Sequence, residues 1–151
     1  MSARARLDEL GLTLPPVVPP VAAYIPAVRT GNQVWTSGQL PMVGGEMPAV
    51  GKVGAQVTAE QAKDLARTCA LNALAAIDAL VGLDSVVRVV KVTGYVASTP
   101  DFTGQTGIIN GASELLGEVF GDAGKHARSA IGVAVLPLDA PVEVEVVVEV
   151  S

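Results

Sequence analysis

Aromatic side chains are scarce in this sequence of 151 residues: one Trp, two Tyr and two Phe, against 50% hydrophobic residues overall. A core must therefore be assembled from Val, Leu, Ile and Ala, which suit sheets and closely packed helices. Few rings are left for stacking on bases or sugars. Basic residues are outnumbered as well, 10 against 15 acidic, for a net charge of −5. No overall field attracts phosphate, so nucleic acid is not an expected partner. Cys69 is the only cysteine and His126 the only histidine. An intrachain disulfide is excluded, and neither a metal site nor a cofactor is expected within one chain. Nothing approaches the ~20 consecutive apolar residues of a membrane span. Residues 2–14 mix Arg4 and Arg6 with Asp8 and Glu9 and do not read as a secretory signal. A soluble cytoplasmic protein of one domain is the simplest expectation.

What is present has a clear order. Residues 1–20 read as a proline-rich N-terminal extension, because Pro15, Pro16, Pro19 and Pro20 favour an extended path and deny helix. The domain proper then spans residues 21–151. Two short strands around the turn at Thr30-Gly31-Asn32 are expected between Tyr24 and Gln39. The glycine-rich stretch 44–54 reads as a surface loop. Residues 58–81 carry the clearest helical signal: Thr58 and Gln61 form a capping-box pair, and Leu65, Cys69, Leu71, Leu74, Ile77, Leu80 and Val81 recur at helical spacing. Residues 86–97 are dense in β-branched side chains and read as a buried strand. A second, glycine-weakened helix is expected over about 103–120, then strands at 128–136 and 142–150. In the last strand Val142, Val144, Val146, Val148 and Val150 share one face, while Glu143, Glu145, Val147 and Glu149 share the other.

The resulting order, β-β-α-β-α-β-β, points to an α+β fold with both helices on one face of a single sheet. The opposite face is then expected to be apolar and uncovered, which implies self-association.

Specific words in the sequence carry a resemblance. Trp35-Thr36-Ser37-Gly38-Gln39-Leu40-Pro41 resembles the "TSGQ-P" segment of the Rid superfamily, the YjgF-like reactive-intermediate deaminases. Asn110 sits where the family's second helix carries an Asn. Ala127-Arg128-Ser129-Ala130 resembles its "ARS" segment, and Leu136-Pro137 with Val142-Glu143-Val144-Glu145 resembles its "LP…-E-E" ending. The motifs occur in the family order across about residues 21–150. The resemblance implies a chorismate-mutase-like fold and a homotrimer whose sheets form a central barrel, with pockets for small carboxylate-bearing molecules between subunits. The best-understood branch hydrolyses enamines and imines to 2-oxo acids and ammonia; older labels in the superfamily include endoribonuclease L-PSP and translation inhibitor.

The same resemblance assigns candidate roles. Arg128 matches the anchoring arginine, and its planar fork suits a carboxylate. The competing reading is an ordinary structural salt bridge. Glu143 matches an acidic position beside the attacking water, where a carboxylate orients water or relays a proton; the alternative is a solvated strand face. Tyr24, Gly38 and Asn110 match pocket-lining positions. Ala130 stands where the deaminase branch often has cysteine. His126 adjoins the motif, but a lone His before a strand is commonly a loop residue and is not assigned a role. Cys69 and Trp35 read as packing. Hydrolysis of carboxylate-bearing enamines or imines is the leading expectation; a non-catalytic ligand-binding trimer comes second and a ribonuclease third.

Overall fold

The capping box at Thr58 closes as its sequence predicts. The Gln61 N–H donates to Thr58 Oγ1 at 3.1 Å and the Thr58 N–H to Gln61 Oε1 at 2.9 Å. It opens the longest helix of a computed structural model that describes residues 1–151. The elements run α1 (Ala3–Glu9), β1 (Ala27–Thr30), β2 (Gln33–Thr36), α2 (Ala59–Val81), β3 (Val86–Ala97), α3 (Gln105–Phe120), β4 (Ala127–Val133) and β5 (Val142–Val150). The five strands form one sheet in the order β1-β2-β5-β3-β4. Only the β3–β4 pair is parallel, as a strand-helix-strand crossover through α3 requires. The chain is a single-domain α+β fold.

Both long helices pack on one face of the sheet, against Val34, Val89, Val92, Val96 and the alternate valines of β5. Glycine at 94 and 111 makes the packing close. A Cβ at Gly94 would run into the Ile109 side chain, and one at Gly111 into the Lys63 carbonyl of α2. This tightness decides which side of α2 faces inward. The buried stripe is mostly Ala62, Ala66, Cys69, Ala70, Ala73, Leu74 and Ile77, whereas Leu80 is 45% exposed. Leucine spacing therefore points only roughly at the buried face, because the gap between α2 and α3 admits small residues. Asn72 is also buried, with its Nδ2 donating to the carbonyls of Leu40 and Met42 at 3.0 Å each. It ties α2 to the loop after β2.

Two expectations need correction. The N-terminal segment contains a helix, α1, which ends before the first proline; the prolines restrict only residues from Leu14 onwards. Ser2 caps it by accepting from the Ala5 N–H at 3.1 Å, and Leu7 enters the main core at 3% exposure. Arg6 Nε donates to the Glu118 carbonyl at 2.8 Å and Arg4 pairs with Asp78, fixing α1 near the ends of both long helices. The second correction concerns the uncovered sheet face. It is uncovered but mixed: Val28, Trp35, Ile131 and Val147 alternate with Lys91, Thr93, Tyr95 and three glutamates of β5. The period of two in β5 puts every glutamate there. Trp35, expected in packing, is 49% exposed, with its indole N–H donating to Gln33 Oε1 at 3.0 Å.

Candidate functional site

β4 is an edge strand, and its parallel register sets Arg128 beside Val92 on the helix-covered face. There its guanidinium reaches a single stripe of α3 formed by residues 106, 110 and 113, spaced four and three apart. Nη1 donates to Asn110 Oδ1 at 2.8 Å and to Ser113 Oγ at 3.2 Å, and Nη2 donates to the Thr106 carbonyl at 3.3 Å. All three acceptors are neutral. The chain's ion pairs engage Arg4, Arg6, Lys52, Lys63, Arg67 and Lys125, so Arg128 has no carboxylate partner. An arginine has five N–H donors. Three are taken here, which leaves Nε–H and one Nη2–H. The structural salt bridge that could have explained this residue is absent. What remains is a half-buried cation, oriented by its surroundings, with donors to spare.

Glu143 and Gly38 meet on the opposite face. Glu143 of β5 lies level with Tyr95 of β3, half-buried on the uncovered side. The loop after β2 closes over it: the Gln39 N–H donates to the Val144 carbonyl at 2.8 Å, and the Val144 N–H returns the bond at 3.0 Å. Gly38 is thereby held against the carboxylate, where a Cβ would come 2.5 Å from Glu143 Oε2. Burial pushes the Glu143 carboxyl above its ordinary value, and the like charge of Glu145 pushes it further. Tyr95 donates its hydroxyl to Glu145 Oε1 at 3.1 Å, and its phenol is raised by burial and then by the Glu145 charge. Tyr24 shares the wall of a shallow crevice with Gly38, Pro26 and Leu40, and its hydroxyl accepts the Val21 N–H at 3.2 Å.

The structure thus brings Arg128 together with Asn110, and separately Gly38 with Glu143; Tyr24 shares a crevice wall with Gly38 but does not touch the carboxylate. Strand β3 lies between β4 and β5, which separates Arg128 and Glu143 by two strand spacings, roughly 10 Å, as well as by the thickness of the sheet. One small molecule cannot touch both groups within one chain. Ala130 lies on the Arg128 side, level with Gly94, and its methyl packs at the margin of the core.

Sequence reasoning passed over two residues. Ser113 accepts from Arg128, and His126 in turn lies 2.8 Å from Ser113 Oγ through Nε2 and 2.6 Å from the Gly124 carbonyl through Nδ1. The spacing of Asn110 and Ser113, three residues apart on one helix, was the available signal for the first. His126 lies in the loop before β4, as read, yet it is bonded into the arginine's surroundings.

A family profile described as "YjgF/chorismate_mutase-like, putative endoribonuclease" matches residues 4–150. The chain belongs to the Rid/YjgF superfamily. Protein TCP17 of Trypanosoma cruzi is 45% identical over 97% of this chain and 93% of its own length. The crystal structure of Atu1372 from Agrobacterium tumefaciens superposes with a TM-score of 0.89 at 42% identity, covering 99% of this chain and 92% of that one. E. coli TdcF, solved with bound serine, has a TM-score of 0.63 at 28% identity and covers 91% and 94% of the two chains. The family profile takes in the strands that carry Arg128 and Glu143.

Proposed function

We propose that this member of the superfamily hydrolyses small carboxylate-bearing enamines and imines to 2-oxo acids and ammonia. The pocket lies between copies of the chain in a homotrimer. The observation that carries the reading is Arg128, anchored by three neutral acceptors and lacking any acid partner. A substrate carboxylate supplies that partner through two hydrogen bonds, the strong arrangement for guanidinium. Asn110 lies on the same rim and can hold a second polar group of the ligand. Because Glu143 faces away from Arg128 in its own chain, the reading requires that a second copy present its Gly38–Glu143 wall to the first. The serine bound to TdcF is itself a small carboxylate-bearing molecule, consistent with this ligand class.

The chemistry asks little beyond positioning. The C=N carbon is already electrophilic; water adds to it, and the carbinolamine expels ammonia to leave a C=O bond. A carboxyl raised by burial serves both proton steps. In its protonated form Glu143 gives a proton to the imine nitrogen, and as carboxylate it takes one from the attacking water. Holding water and substrate in register supplies the remainder. Ala130, in place of the frequent cysteine, offers the same backbone groups with an apolar side chain. A ribonuclease reading has less to stand on, since the net charge is −5 and no basic run tracks a phosphate chain.

The test is decay of enzymatically generated 2-iminopropionate with wild type and Arg128→Ala. Wild type should accelerate decay and the variant should lose at least ~10²-fold, with its oligomer intact. Wild-type turnover retained in Arg128→Ala contradicts the anchor. Tight 2-oxo acid binding without turnover by wild type would favour the non-catalytic ligand-binding trimer.

A further inference from the structure

We infer that His126 is a positioning residue for Arg128, acting through Ser113; the inference rests on the reading of Arg128 as the carboxylate anchor. The direction of each bond follows from what each atom can do. The Gly124 carbonyl can only accept, so His126 Nδ1, 2.6 Å away, carries the proton. In the neutral ring Nε2 then has a lone pair and no hydrogen. Ser113 Oγ, 2.8 Å from Nε2, must donate its only proton there. That fixes the hydroxyl rotor and turns the Ser113 lone pairs away from the ring, towards Arg128 Nη1 at 3.2 Å. The chain of bonds runs from a backbone carbonyl through imidazole and hydroxyl to the guanidinium, with every proton placed.

The arrangement matters because β4 is an edge strand, so no further strand of this chain flanks Arg128. Only α3 orients its side chain, and two of the three bonds come from side chains that could rotate. Asn110 Oδ1 and Ser113 Oγ both bind Nη1 and so set the plane of the guanidinium. Without His126 the Ser113 hydroxyl can turn, so its bond to Nη1 loses a fixed direction and the plane rests mainly on Asn110 and the Thr106 carbonyl. A bidentate carboxylate requires that plane to be fixed in advance. Ser113 and His126 contact no substrate themselves; they position the residue that does.

The experiment measures pyruvate affinity by calorimetry for wild type, His126→Phe, Ser113→Ala, the double variant and His126→Gln. Phenylalanine keeps an apolar ring of similar bulk but cannot accept the hydroxyl proton. His126→Phe and Ser113→Ala should each weaken binding about 5-fold, the scale of one net hydrogen bond. The double variant should be no weaker than Ser113→Ala, because both remove one link of the same chain. His126→Gln, whose Oε1 can accept from Ser113, should stay within about twofold of wild type. Losses that multiply in the double variant, or unchanged affinity in His126→Phe, overturn the inference and leave the anchor reading standing. Absence of pyruvate binding by wild type overturns both. Since the chain has a single histidine, its ring nitrogens give an unambiguous NMR signal independent of any ligand. With the ring in its neutral form, the proton is expected on Nδ1; the Nε2–H tautomer contradicts the inference whatever the affinity data show.

Discussion

The two faces of the sheet treat their charged groups in opposite ways. Under the helices, Arg128 is surrounded by neutral acceptors that orient a permanent cation without neutralising it. On the uncovered face, Glu143 is half-buried beside a like charge, and burial followed by Glu145 raises its carboxyl above the ordinary value. The first arrangement preserves charge and fixes geometry. The second makes the charge itself unfavourable and so makes a proton easy to keep. A binding group benefits from the first treatment and a proton-transfer group from the second. The difference supports the proposed division of labour, with Arg128 as anchor and Glu143 as acid-base group.

Replacing Glu143 by Gln attacks the comparison hardest. Turnover should fall about 10²-fold with pyruvate affinity little changed, since general acid-base groups contribute on this scale and the anchor is on the other face. Stability should move the opposite way. A carboxyl whose folded pKa is raised binds protons more readily in the folded chain than in the unfolded one. Wild-type stability should therefore drop as pH rises from the ordinary value of 4.5 through the raised folded value, and Glu143→Gln should not show that drop. Urea denaturation midpoints of both proteins across that window check the sign. A wild type that instead gains stability there, relative to the variant, would mean that the carboxylate is favourably paired.

Gly38→Ala sharpens the same comparison with a smaller effect. The new methyl would fall 2.5 Å from Glu143 Oε2, so the carboxylate must move. Turnover should drop about 10-fold, as displacement of a catalytic group by less than its own width does. Pyruvate binding, anchored at Arg128 of the adjoining copy, should fall less than turnover, and an equal loss of both would show that Gly38 shapes the ligand's seat rather than the place of the carboxylate.

Much of this architecture was legible in advance for identifiable reasons. The capping box of Thr58 and Gln61, the β-branched run of β3 and the alternation of β5 are local signals, and each element formed within two residues of its reading or better. β4 is shorter than expected, ending at Val133, where the sheet offers no partner beyond Ala97. What escaped was tertiary. Helix α1 is only seven residues long, too short for periodicity to declare itself, and Leu7 is what holds it. On α2 the alanines at 62, 66, 70 and 73 fill the buried stripe beside Leu74 and Ile77, while Leu80 stays exposed, a balance the leucine spacing alone does not show. Trp35 stands exposed because β2 turns its alternate residues to the uncovered face. The bonding of His126 depends on the meeting of a loop, a helix and a strand, and no spacing in the sequence announces it.

The central claim is that Arg128 and Glu143 serve one substrate from two different chains. Mixing Arg128→Ala with Glu143→Gln subunits, after co-refolding, tests it most directly. Either variant alone should be nearly inactive towards 2-iminopropionate. In a mixed oligomer some interfaces join an intact Arg128 from one chain to an intact Glu143 from the next. In a random equimolar mixture roughly a quarter of interfaces should be restored, and activity with them. Mixed oligomers, verified by mass, with no more turnover than the separate variants would contradict the claim.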